Sequence, residues 1–145
     1  MSGQAGEIVL LLARADKLIA RRLEGVLEAE RLSMGAWRVL TLLSDRAGHP
    51  MAEVAEFAML PPGTLTKLMD QLVEENLVYR RIDPADRRRI RAFLSRRGLE
   101  TYHEVRQRVE RAISDLDMGD LAAGLTRLIA TLESAPTAAD LPARR

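Results

Sequence analysis

The sequence of 145 residues has no cysteine and only two histidines, His49 and His103. Without cysteine the chain can build no disulfide framework, thiolate nucleophile or thiolate metal site. Neither histidine has a second ligand at metal-binding spacing, and the sequence shows no nucleophile elbow and no phosphate-cradling glycine loop. The carboxylates of Asp83 and Asp86 lie in a basic turn that keeps both of them ionised. We therefore expect no catalysis, no metal site and no cofactor.

Long apolar stretches are also missing. The apolar run near the N-terminus is only a few residues long and is interrupted by Arg14, Asp16 and Lys17. It is too short and too charged for a signal peptide or a membrane span. We expect a soluble, cytoplasmic protein without membrane association, folded as one domain over residues 1–145.

A concentrated basic segment is hidden by the net charge of +1. Residues 77–98 contain eight arginines and two aspartates, which gives this segment a net charge of +6 and the rest of the chain −5. Positive charge focused in this way favours a phosphate-bearing partner such as nucleic acid. A solvated charged face is the alternative explanation of an arginine run.

Apolar residues recur with helical spacing along most of the chain, which predicts a mainly α fold of the α+β class. The first helix has more apolar surface than a small core could cover, so part of it should be buried against a second chain. Predicted helices span about Glu7–Glu30, Met34–Asp45 with Ser33 as cap, Met51–Met59, a segment after Leu60-Pro61, Arg96–Leu116 with Ser95 as cap, and Gly119–Glu133.

The helices on either side of Leu60-Pro61 have helix-turn-helix spacing. The first of them should bury Val54, Phe57 and Ala58. The second has an apolar stripe at i, i+3, i+4 and i+7, and its exposed face should read the major groove of DNA. The stripe consists of Leu65, Leu68, Met69 and Leu72, and the candidate reading residues are Thr64, Thr66, Lys67 and Gln71.

A basic β-hairpin follows this helix. Asn76 can adopt the left-handed conformation that ends the helix, Leu77–Ile82 is the first strand, and the second runs through Ile90 to Leu94. Near the tip stand Arg87, Arg88 and Arg89, a sequence suited to the negative potential of the minor groove. Asp86 can pair with the guanidinium of Arg88 and fix its direction.

These residues resemble a known family. The run Asp83-Pro84-Ala85-Asp86-Arg87-Arg88, followed by a strand, Leu94-Ser95 and Gly98, resembles the wing signature of the MarR family of regulators. The segments TLTKLMDQL and NLVYRR are similar to that family's recognition helix and first wing strand, and a weaker similarity extends over about residues 5–133. Four features differ from many members: Pro61-Pro62-Gly63 begins the recognition helix, Arg89 and Asn76 each replace a glycine, and the cysteine of peroxide-sensing members is absent.

The resemblance implies a homodimeric winged helix-turn-helix repressor or activator that binds a pseudo-palindromic operator in double-stranded DNA. Arg88 would be its minor-groove arginine and Asp86 the orienting partner. Residues 33–98 would form the winged helix-turn-helix, residues 5–30 and 99–133 the dimerisation helices, and residues 134–145 a tail. The predicted seam of the fifth helix contains Leu99, Tyr102, Arg106, Val109, Ile113 and Leu116.

Effectors of this family commonly bind between the dimer helices and the winged domain. The resemblance therefore implies a small-molecule effector, expected to be an aromatic or phenolic anion. Two alternatives stay open: a winged helix that serves as a protein-interaction scaffold, and a winged-helix regulator of another family that binds as a monomer. The candidate effector contacts are Met34, Trp37, Arg38, Tyr102 and His103.

Overall fold

The computed structural model of the chain describes residues 2–135 and is mainly helical with one small sheet. The predicted α+β class is confirmed. No helix in this range is long and apolar enough to span a membrane. The elements are α1 (Ser2–Ala29), α2 (Met34–Leu43), β1 (His49–Pro50), α3 (Met51–Ala58), α4 (Pro62–Glu74), β2 (Val78–Ile82), β3 (Ile90–Leu94), α5 (Arg96–Ala112) and α6 (Gly119–Ser134).

The chain divides into two compact units, residues 1–113 and 114–145. Helices α1 to α5 and the sheet belong to the first unit and α6 to the second. Within α6 no residue is buried, and Leu121, Leu128, Ile129 and Leu132 are exposed. The organisation as one domain stays a prediction, and the tail predicted at 134–145 lies outside the described residues from 136 onward.

Serine caps begin two of the helices at the predicted places. The Ser33 hydroxyl accepts a hydrogen bond from the Ala36 N–H at 3.0 Å, and the Ser95 hydroxyl accepts one from the Gly98 N–H at 2.9 Å. Each bond satisfies an amide that the first helical turn leaves without a partner. Asn76 has a φ of 60°, which confirms the left-handed residue expected after α4.

The core lies between the C-terminal half of α1, helices α2 to α5 and the inner face of the sheet. The predicted stripe of α4 is confirmed, since three of its members are fully covered and Leu68 packs against them. Phe57 differs from its prediction, because it is 46% exposed. Helix α3 has only eight residues. Val54 and Ala58, one turn apart, fill its inward face, and Phe57 lies at the edge of that face.

The predicted seam of α5 is confirmed at Tyr102 and Val109 and is wrong at Arg106. Val105 is completely buried, whereas Arg106 is exposed and forms an ion pair with Glu110 at 2.8 Å. The buried residues Gly98, Tyr102, Val105 and Val109 are spaced by 4, 3 and 4 positions, so the predicted alternation of 3 and 4 is kept, with Val105 in place of Arg106. Helix α5 ends at Ala112, before the predicted Leu116.

The sheet has the strand order β1-β3-β2, and both pairings are antiparallel. The hairpin of β2 and β3 was predicted, but β1 was not. His49 in β1 pairs with Ala92 in β3, so the hairpin is joined to the segment between α2 and α3. Pro50 lies in this strand and is also the N-cap of α3.

Close backbone contact joins the wing to α5. The Ser95 N–H donates to the Leu77 carbonyl at 3.0 Å, and the same carbonyl faces Gly98. A Cβ atom at Gly98 would overlap that carbonyl oxygen. This contact explains why a glycine stands three residues after the cap serine.

The two halves of α1 differ in burial. Leu23 and Leu27 in the C-terminal half belong to the core. Ile8 and Leu11 in the N-terminal half are exposed, and so is Leu18 just past the middle of the helix. An apolar surface of this kind fits the expectation that α1 packs against a second chain.

Candidate nucleic-acid interface

Helix α4 presents the four polar residues predicted to read the major groove. Thr64, Thr66, Lys67 and Gln71 are all exposed, on the face opposite the buried stripe. Pro62 starts the helix, where its fixed φ suits the first turn and its missing N–H costs nothing. The structure therefore brings the four residues together on one accessible surface.

Two of these side chains are engaged within the protein. The Thr66 hydroxyl donates to the Pro62 carbonyl at 2.9 Å, and the Gln71 amide donates to Glu75 Oε1 at 3.1 Å. Thr64 and Lys67 make no side-chain hydrogen bond or ion pair with any residue between 2 and 135. Lys67 and Thr64 are consequently the reading groups with the most freedom to contact DNA.

A contact that the sequence analysis missed joins α4 to the wing. Arg80 Nη2 in β2 lies 2.6 Å from Asp70 Oδ1 in α4, and the Asp70 side chain is mostly exposed. Asp70 alone would repel phosphate. The ion pair neutralises it and connects the major-groove and minor-groove candidates.

Two aspartate turns shape the tip of the wing. Asp83 Oδ1 accepts the Ala85 N–H at 2.9 Å, and Asp86 Oδ1 accepts the Arg88 N–H at 3.0 Å. The Asp83 N–H donates to the Arg89 carbonyl at 2.8 Å and closes the loop. The Asp-Pro-Ala-Asp sequence produces this form because short carboxylate side chains bond to amides two residues further on.

The contact between Asp86 and Arg88 differs from the predicted one. Asp86 was expected to hold the guanidinium of Arg88, but it binds the backbone amide of that residue instead. The guanidinium groups of Arg87, Arg88 and Arg89 have no hydrogen-bond or ion-pair partner in the part of the chain that the structure describes. Asp86 thus fixes the main chain from which Arg88 projects and leaves its charge available.

The carboxylate that does hold a guanidinium is Asp83. Its Oδ2 lies 3.0 Å from Nε of Arg91, and Arg91 Nη1 donates to the Gly48 carbonyl at 3.2 Å. The Ala85 amide, and then Arg91, lower the pKa of Asp83, which is 8% exposed. Asp83 and Arg91 stabilise the wing, a role that the turn signature alone did not reveal.

The outer face of the sheet carries a stacked aromatic pair. The ring centroids of Tyr79 and Phe93 are 5.2 Å apart and nearly parallel, and the Arg81 guanidinium lies 5.1 Å from the centre of the Tyr79 ring. Gly48 makes room for Phe93, since its φ is 75° and a Cβ there would overlap the ring. These contacts stiffen the hairpin.

A cavity of about 260 Å³ lies between α1, α2 and α3. Three of the five predicted effector contacts, Met34, Trp37 and Arg38, line it. The other two do not: Tyr102 is buried behind Trp37, with ring centroids 5.3 Å apart, and His103 is exposed. Further lining residues, which the sequence analysis missed, are Asp16, Ile19, Ala20, Leu23, Thr41 and Phe57.

The cavity has charged groups on two walls. Arg38 Nη1 is 3.5 Å from the carbonyl of Ala58, the last residue of α3, and Asp16 stands on α1. The guanidinium can therefore contact a ligand and the helix-turn-helix at the same time. Within residues 2–135 no three carboxylate or imidazole groups are placed to hold a metal ion.

The structure combines a helix-turn-helix, a wing with arginines at its tip and a basic surface. These features define a protein of the winged helix-turn-helix class, which binds DNA. Residues 32–90 match the MarR family. The match covers the winged helix-turn-helix, and over this segment the chain is a DNA-binding transcriptional regulator of the MarR family, whose members are not enzymes.

Individual relatives agree with this assignment. The transcriptional regulator MhqR of Bacillus subtilis is 23% identical over 105 residues, which are 72% of each chain. The structure of CouR from Rhodococcus jostii bound to p-coumaroyl-CoA is 26% identical with a TM-score of 0.75, covering 92% of this chain and 95% of CouR. The structure of NadR in complex with 4-hydroxyphenylacetate is 22% identical with a TM-score of 0.77, covering 89% of this chain and 94% of NadR, and shows the shared fold.

Proposed function

We propose that the protein is a homodimeric repressor that binds a pseudo-palindromic operator and is released from it by a small aromatic anion. The observation that carries the DNA-binding part is the wing tip, where three consecutive guanidinium groups have no hydrogen-bond or ion-pair partner among the described side chains. They lie in the same compact unit as the exposed face of α4. Three adjacent arginine side chains at a hairpin tip repel one another and make no side-chain hydrogen bond with residues 2–135, so they favour an anionic partner.

On DNA, α4 enters the major groove and the wing follows the adjacent minor groove. Thr64, Thr66, Lys67 and Gln71 contact base edges or phosphates. The remaining contacts come from Arg87, Arg88 and Arg89, with Arg88 inserted into the minor groove from the turn that Asp86 fixes.

The dimer is formed through the exposed apolar half of α1 together with the C-terminal helices. Two-fold symmetry places the half-site centres about 10 base pairs, or a multiple, apart. Gel filtration with light scattering tests this step. A monomer at micromolar concentration that still binds a single half-site would contradict it.

The effector binds in the cavity beside Trp37. Its aromatic ring packs on the indole, which Tyr102 supports from behind, and its anionic group pairs with Arg38. The cavity suits a ligand with one aromatic ring, and relatives of this fold bind 4-hydroxyphenylacetate and p-coumaroyl-CoA. A ligand that draws Arg38 away from the Ala58 carbonyl changes a contact at the end of α3, next to the recognition helix.

Anisotropy titrations with labelled duplexes from the protein's own promoter region test DNA binding. The logarithm of the affinity should fall with the logarithm of the salt concentration, at a slope of about −0.9 for each phosphate neutralised. An affinity that does not respond to salt would contradict the interface. Failure to shift any duplex would instead favour a protein-interaction scaffold.

The effector site is tested by fluorescence, because Trp37 is the only tryptophan in the chain. Titration with 4-hydroxyphenylacetate or p-coumarate should change its emission. Arg38→Ala should weaken that response roughly tenfold or more, since a hydrogen bond to a charged group contributes about 1.5–3 kcal/mol. Arg21→Ala, which removes the same charge from α1 outside the cavity lining, is the control. Equal affinities of the two variants would exclude Arg38 as the anion contact.

A further inference from the structure

Thr66 has an unusual environment for a residue that faces DNA. Its hydroxyl proton is directed into the helix, to the Pro62 carbonyl one turn earlier, at 2.9 Å. The residue is nevertheless exposed. What Thr66 presents outward is its methyl group and the remaining lone pairs of its oxygen.

The neighbouring polar groups on α4 are also occupied. Asp70 is paired with Arg80, and the Gln71 amide with Glu75. Of the predicted reading residues, only Thr64 and Lys67 have side chains that make no hydrogen bond or ion pair within residues 2–135. The polar groups of Thr66, Asp70 and Gln71 are at least partly engaged within the protein.

The start of α4 allows a close approach of DNA. Pro61, Pro62 and Gly63 have no hydrogen-bonding side chain, and the space next to Gly63 is open to 4 Å. A flat first turn lets short side chains further along the helix reach the floor of the groove. Close apolar contact is the kind of recognition that such a surface supports.

We propose that Thr66 reads its base pair through its methyl group, packed against the C5 methyl of a thymine. Of the four bases only thymine carries this methyl in the major groove. The hydroxyl acts within the protein: its bond to Pro62 fixes the side chain so that the methyl always points outward. The inference rests on the proposed insertion of α4 into the major groove.

The test uses duplexes that the wild-type protein selects from a random pool, with each half-site thymine replaced in turn by deoxyuridine. This removes one methyl and leaves the hydrogen bonds of the base pair unchanged. At one position in each half-site, wild-type affinity should fall about fourfold, the factor that corresponds to one buried methyl. Thr66→Val keeps the methyl and should retain this fourfold ratio, whereas Thr66→Ser keeps the hydroxyl and should bind both duplexes equally.

Thr64→Ser is the matched control, since it removes a methyl from the neighbouring threonine and should leave the ratio at that position unchanged. Melting temperatures establish that all variants fold. The inference is overturned if Thr66→Ser retains the ratio, if Thr66→Val loses it, or if no deoxyuridine affects wild-type binding. Failure to select any sequence would reject the proposed DNA binding as well, so the two failures are distinguishable.

Discussion

At the base of the wing, Arg91 is held by Asp83 and by the Gly48 carbonyl, whereas at the tip Arg87, Arg88 and Arg89 have no side-chain hydrogen bond or ion pair with residues 2–135. The base is part of the folded structure, and its groups are satisfied within the protein. The guanidinium groups at the tip remain available to bind an anionic ligand. One short hairpin thus separates residues that stabilise the fold from residues that we propose bind DNA, and mutations at the two ends should have different effects.

The largest effect is expected at the base, from Gly98→Ala. The added methyl overlaps the Leu77 carbonyl, and backbone cannot move aside as a flexible side chain can. Urea unfolding should show a loss of about 3 kcal/mol or more. Gly63→Ala is the control, because nothing lies within 4 Å of its Cβ position, and its stability should be unchanged or slightly higher. Equal stabilities of the two variants would refute the close packing at the base.

Arg88→Ala at the tip should leave unfolding unchanged and weaken DNA binding by about 1–3 kcal/mol. Arg96→Ala removes the same charge from the same basic segment, but Arg96 lies at the start of α5. It should cost less affinity and lower only the non-specific component. If the two variants lost affinity equally, general charge and not the wing tip would explain binding.

Substitution of Asp86 should have an effect of intermediate size. Asp86→Ala removes the acceptor of the Arg88 amide, and DNA affinity should fall by about 0.5–1.5 kcal/mol because the tip is less ordered. Asp86→Asn can accept the same amide and should bind nearly as well as the wild type. A large loss in Asp86→Asn would show instead that the carboxylate acts on the arginine charge.

The smallest effect concerns His49, whose ring nitrogens lie 2.8 Å from Glu53 and 2.7 Å from Asp45. Burial lowers its pKa, but the hydrogen bonds to Glu53 and Asp45 outweigh burial and raise the pKa above 6.5. Its contribution to stability is therefore complete below pH 6.5 and is lost as the pH rises through the raised pKa.

The size of this step should be that of a surface ion pair, below about 1 kcal/mol. Urea unfolding below and well above pH 6.5 measures it, and His49→Gln should abolish the step. A step of the same size in His49→Gln would assign it to other groups.

Local signals account for what could be predicted. Ser33, Ser95 and Asn76 act on amides within a few residues, and the stripe of α4 follows from helical spacing alone. The errors concern contacts between distant segments: β1 forms only because β3 lies beside it, and Arg91 reaches Gly48 across 43 positions. The burial predicted for Phe57 was wrong because helical spacing alone does not show how much of a short helix is covered by the neighbouring elements. No sequence pattern indicates that Asp16 lines the cavity, since only the packing of α1 on α2 brings it near Trp37.

The ion pair between Asp70 and Arg80 has a consequence for the energetics of recognition. Because it joins α4 to the wing, it favours one separation of the two elements that we propose contact DNA, already before DNA is bound. Little conformational entropy is then lost when both grooves are occupied, and affinity gains from this preorganisation. If both elements contact the duplex as proposed, a distorted groove spacing would require this ion pair to be displaced. We therefore expect DNA shape, and not base sequence alone, to contribute to the affinity.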